Sequence, residues 1–106
     1  MNLITNDEDK CAVVLDALLE VMDPEINLNV VDLGLIYQVD FDEKKIYCTM
    51  TLTTQFCPMG ESIQNGVTRA VKSVFPEHEV LVNVVFDPPW NAHMISEEGL
   101  EFLNSR

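Results

Sequence analysis

The chain has 106 residues, 47% of them hydrophobic, and a net charge of −12 from 18 acidic and 6 basic residues. That length suggests one domain over 1–106, and the patterned apolar content excludes a disordered chain. The negative field disfavours nucleic acid, and the apolar runs are too short to span a membrane.

The start, MNLITNDEDK, has no basic leader and no signal core, so a cytoplasmic location is expected. The acidic surface keeps the chain soluble and biases it towards basic partners, or is simply a solvated exterior. None of the three cysteines lies in a C-x-x-C pair. That argues against a disulfide framework and a closed zinc site, and free thiols fit a reducing compartment.

In chain order, the spacing predicts a helix over 5–22. Thr5 and Glu8 have capping-box spacing, and Cys11, Val14, Leu15, Leu18, Leu19 and Met22 form its apolar stripe. Asp23-Pro24 ends it, because a residue before proline avoids helical geometry. Residues 24–35 read mostly as a loop, with Gly34 within it. A strand follows over 36–42, with Tyr37, Val39 and Phe41 on one face. After the turn DEKK, a second strand over 46–54 alternates strictly, placing Ile46, Cys48, Met50 and Leu52 inward. Residues 60–75 form a second helix with Ile63, Val67, Ala70, Val71 and Val74 on its apolar face, stopped by Pro76. A third strand, 79–86, ends at DPPW, since two prolines cannot continue a ladder. Ser96 caps a short last helix, with Ile95 and Leu100 at staple spacing. The expected fold is α+β in two layers. A three-stranded mixed sheet carries the two main helices on one face, in the order α-β-β-α-β, and a short C-terminal helix follows.

This order implies a shared edge. The hairpin sets the start of the first strand beside the end of the second. A crossover makes the second and third strands parallel, so the third ends at the same edge. Three unusual stretches then meet: DPEINLNVVDLG, TTQFCPMG and DPPW. Ligand sites often lie beyond the carboxyl ends of strands, and this one gathers Asp32, Thr54, Cys57, Asp87 and Trp90. Cys57 stands just before a helix, where open N–H groups favour a thiolate, and Pro58 stiffens the entry. An inert, packed turn cysteine is the other reading of Cys57. Asp23 and Glu25 fit simple turn caps, Trp90 fits a lid on the core, and His93 fits a loop residue within reach of the site.

Together, DPEI, VDLGLIY, TMTLTTQFCPMG, DPPW and MISEE resemble the metal–sulfur cluster assembly family, whose branches include SufT-like and PaaD-like proteins. The likeness runs from about Met22 to Glu98 in the family's order and spacing. It implies a fold like the C-terminal domain of NifU-like scaffolds and a role in maturing iron–sulfur proteins as carrier or adaptor. It also implies a signature cysteine at Cys57 and site positions at Asp23, Glu25, Asp32, Asp87 and Trp90. Phe56, Ala92 and His93 depart from the usual pattern.

A stable cluster needs about four protein ligands, and one chain offers a single well-placed thiolate, taken as the metal ligand. Two chains then share an iron–sulfur cluster as a homodimer, or Cys57 bonds it transiently, or the protein only docks partners. The leading expectation is a non-enzymatic maturation factor whose partners are iron–sulfur scaffold or carrier proteins and apo clients. The alternatives are a cluster-free adaptor and a thiol enzyme of unknown substrate.

Overall fold

A computed structural model describes residues 3–53 and 60–104. The chain opens on a two-residue strand, β1 (Ile4–Thr5), and not on a helix. Asn6 extends this strand by side-chain mimicry: its Nδ2 donates to the Phe41 carbonyl and its Oδ1 accepts from the Phe41 N–H, each at 2.9 Å. Helix α1 (Glu8–Leu18) therefore starts later than the capping-box spacing suggests. Its N-cap is Asp7, whose side chain accepts from the Lys10 N–H at 3.1 Å. Glu8 and Asp9 then suit the positive end of the helix dipole.

The helix also stops before Pro24. The N–H groups of Glu20 and Val21 bond back to the Ala17 and Leu18 carbonyls, a tightened last turn. Of the predicted stripe, Cys11, Val14 and Leu18 are buried, while Leu19 and Met22 are exposed. Full burial of side chains such as Val14 and Leu18 stabilises by about 1.5–3 kcal/mol each.

Residues 22–35 are more ordered than a loop. β2 (Met22–Asp23) and β3 (Leu28–Asn29) pair antiparallel as a small hairpin. Asn27 takes a positive φ of 67° in its turn, a conformation that asparagine tolerates. The stretch after it inserts Leu28, Val30, Val31, Leu33 and Leu35 into the core.

The main sheet has four strands in the order β1-β4-β5-β6, so the expected three-stranded sheet is corrected to four strands plus the two-stranded hairpin. The added strand arises because β1 pairs parallel with β4 (Ile36–Phe41), whose edge would otherwise stay open. β4 and β5 (Lys45–Met50) form the predicted antiparallel hairpin, closed by the Asp42 N–H on the Lys45 carbonyl. Helix α2 (Gly60–Val74) leads to β6 (Glu79–Val84), which is parallel to β5. Helix α3 (Glu97–Asn104) closes the described chain.

α1 and α2 pack on each other. Their Cys11, Val14, Leu18, Ile63, Val67 and Val71 share one core with Val39, Ile46, Cys48 and Met50 of the sheet. The face assignment of β4 needs one correction. Register slips between Ile36 and Gln38, opposite Met50 and Thr49. Tyr37 is thus the extra residue of a bulge, and it does not share a face with Val39.

Candidate functional site

The shared sheet edge exists. Ile36 at the start of β4 pairs with Met50 at the end of β5, and Met50 pairs with Val84 at the end of β6. The stretch before β4 and the stretch after β6 are fastened together there. Ser96 Oγ donates to Asp32 Oδ1 at 2.7 Å, and the Ser96 N–H donates to the Asp32 carbonyl at 2.8 Å. Asn29 Nδ2 donates to the other Asp32 oxygen at 2.7 Å, while Asn29 Oδ1 accepts from the Asp32 N–H. The indole N–H of Trp90 donates to the Leu33 carbonyl at 2.6 Å. Ser96 also accepts from the Gly99 N–H at 3.0 Å, as an N-cap should.

Gly34 is the point of closest approach. Its φ is +78°, and a Cβ built there falls on the Met94 carbonyl oxygen. Only glycine fits both demands. Tyr37 completes the clamp: its hydroxyl donates to the Pro88 carbonyl at 2.8 Å. Burial pushes the Tyr37 phenol up, countered in part by its hydrogen bond with Thr51.

The predicted site residues sort as follows. Asp32 and Trp90 lie together in this strap, and both Asp32 oxygens are engaged within the chain. Asp87 is exposed and lines the cavity beside the strap. Asp23 is buried, and its Oδ1 accepts from the Glu25 and Ile26 N–H groups at 2.8 and 3.3 Å, within its own hairpin turn. Glu25 is exposed in that turn. Thr54 and Cys57 lie outside the described residues, as does the last residue of the strand expected over 46–54, whose described part ends at Met50. In sequence, the segment holding them joins Thr53, just past the shared edge, to Gly60 at the start of α2.

The sequence reading missed Tyr37, Pro88 and Met94. A bulge leaves no periodic trace, so nothing turned Tyr37 towards the strap. Beside it, a cavity of ≈690 Å³ opens on the sheet face, lined in part by Tyr37, Thr49, Asp87, His93 and Met94.

The other two thiols are locked away. Cys48 is fully buried on β5, and burial pushes its thiol up to about 12, with Cys11 adding to the effect. Burial also raises the Cys11 thiol, opposed by its hydrogen bond with Thr5. Neither is a ready nucleophile or metal ligand. Among the described residues, no group of three or more His, Cys, Asp or Glu side chains is placed to hold a metal ion. Among them, too, no helix is long and apolar enough to cross a membrane.

Known proteins resemble this chain in sequence and fold. A family described as "Iron-sulfur cluster assembly protein" matches residues 12–84. The chain is similar to "Fe-S protein maturation auxiliary factor YitW" of Bacillus subtilis, 37% identical over 84 residues, covering 78% of this chain and 82% of the relative. It is also similar to "Fe-S protein maturation auxiliary factor SufT" of Staphylococcus aureus, 40% identical over 78 residues, covering 72% and 88% respectively. Among solved structures, a domain of unknown function from Bacillus anthracis superposes with a TM-score of 0.87 at 36% identity, covering 93% of this chain and 95% of that one.

Proposed function

Because the chain belongs to the iron–sulfur cluster assembly protein family, we propose that it matures iron–sulfur proteins as a non-enzymatic carrier acting through the Cys57 thiolate. The observation that carries this reading is the fastened edge. The Asp32–Ser96 and Leu33–Trp90 bonds pin two of the three unusual stretches beside the end of β5. The third stretch, with Cys57, leaves from that strand end. On the sequence reading Cys57 stands just before a helix, where open N–H groups favour a thiolate.

The cargo is an iron–sulfur cluster, bound for transfer and not as a resident group. Cys57 loses its thiol proton to solvent, and its sulfur replaces one donor thiolate on iron, which takes up a proton as it leaves. With Cys11 and Cys48 buried, the rest of the ligand shell comes from a second chain, a small thiol or the recipient. The partners are scaffold or carrier proteins on one side and apo clients on the other. Asp32 and Trp90 act by holding the edge in shape, and Asp87 lines the cavity beside it.

Anaerobic reconstitution with iron and sulfide, read by visible absorption, tests the reading. The unaltered chain should gain charge-transfer bands, and Cys57→Ser should lose them while keeping its far-ultraviolet dichroism. Bands that survive in Cys57→Ser would remove the thiolate from the mechanism. No bands in either chain would leave the adaptor role in its place.

A further inference from the structure

Beyond the strap, the described residues leave the sheet face opposite α1 and α2 open. Asp40, Tyr47 and Leu81 pair across β4, β5 and β6, so their side chains share one face. Ile4, Gln38, Thr49 and Asn83 form the next row towards the strap. The cavity of ≈690 Å³ begins at that second row and ends against Val85, Pro88 and Met94. Apolar exposure continues past the cavity: Ile4 is 61% exposed, Tyr47 40% and Leu81 38%. A stripe of this kind, rimmed by polar groups, marks an interaction surface.

Carboxylates stand at both of its ends. Asp40 stands at one end, its carboxylate accepting from the Gln38 amide, and Asp87 stands exposed at the other. Among the described residues, neither forms an ion pair, and no Lys or Arg lines the cavity. Lys45, two residues before Tyr47 on β5, is opposed by Glu79 at 3.9 Å. A second copy on this groove would set Asp40 and Asp87 against like charges in a chain already at −12. A small ligand would leave Tyr47 and Leu81 uncovered. From Leu81 to Val85 is four residues of strand, about 13 Å, a length that a short extended segment spans.

We propose that this open sheet face docks an extended protein segment bearing apolar side chains flanked by Lys or Arg. Tyr47, Leu81, Ile4 and Val85 take the apolar side chains, and Asp40 and Asp87 take the cations. The docking needs no metal, so it stands or falls apart from the cluster reading.

The test uses the full chain and two fluorescein-labelled peptides of alternating Val and Ser, one ended by lysines and one by glutamates. Anisotropy reports binding, and amide shifts of Gln38, Thr49 and Val85 report its place. The lysine peptide should bind and the glutamate peptide should not. Added salt should weaken binding, and Thr49→Arg should weaken it about tenfold by filling and charging the groove. Asp40→Asn, which keeps the shape, should weaken it about threefold. Equal binding of both peptides, no binding of either, or shifts confined to the helices would overturn the proposal. Shifts that grow with protein concentration before peptide is added would do the same, since they would make the occupant a second copy.

Discussion

Gly34 joins two constraints in one residue. Its positive φ favours glycine, and its missing side chain makes room for the Met94 backbone. Gly34→Ala would add the left-handed penalty to a clash with a carbonyl that has no flexible arm to swing aside. We expect a loss of roughly 3 kcal/mol, the sum of backbone strain and displaced packing. Urea denaturation should show the lower midpoint. Gly66→Ala is the control, because its Cβ would meet only the Val21 side chain, at 3.1 Å. A Gly34→Ala midpoint no lower than that of Gly66→Ala would mean that the strap is looser than its geometry. Gly34 was visible in the sequence as a glycine inside an apolar stretch, but its partner, sixty residues on, was not. A close approach between distant segments has no local signature.

At the scale of elements, what the sequence displayed and what it hid have separate physical causes. Strict alternation at Ile46, Cys48 and Met50 and helical spacing at Ile63, Val67 and Val71 both survive in the fold, because burial on one face writes those periods directly. β1 is two residues long and is held by the edge of β4, so its period is too short to read. The stretch 28–35 is buried without period because it is core on several sides. The convergence of the Asp32 loop with DPPW was legible from topology alone, whereas its means was not. Side-chain bonds from Asn29, Ser96 and Trp90 make the junction. This assigns Asp32 a structural task, fastening α3 to the loop before β4. Asp32→Ala should cost about 1–3 kcal/mol, since it leaves Asn29 and Ser96 without their acceptor. Hydrogen exchange should quicken at Ser96–Gly99 while β5 and β6 stay protected, and Trp90 emission should shift to the red. Unchanged exchange at Ser96 would show that the backbone bond to the Asp32 carbonyl suffices by itself.

Over the whole molecule, thiol placement and net charge pull in opposite directions. Two of the three cysteines are sealed in the core, one of them with its thiol pushed up to about 12. On the proposed reading the metal-binding thiol is Cys57, and a cluster asking about four ligands would draw in a second chain where no small thiol or recipient completes the shell. Each chain carries −12, so their approach is opposed at long range. Iron–sulfur bonds act over a bond length and are little screened, while the repulsion between surfaces fades within about 8 Å at physiological salt. Added salt therefore weakens only the opposing force. Light scattering under anaerobic conditions should find the apo chain monomeric and the reconstituted chain dimeric, with the dimer fraction rising from low to moderate ionic strength. Cys57→Ser should stay monomeric at every salt concentration. A reconstituted monomer with a stable cluster would mean that one chain supplies ligands beyond Cys57. A dimer that forms without iron and sulfide would place the association on a protein surface and not on the cargo.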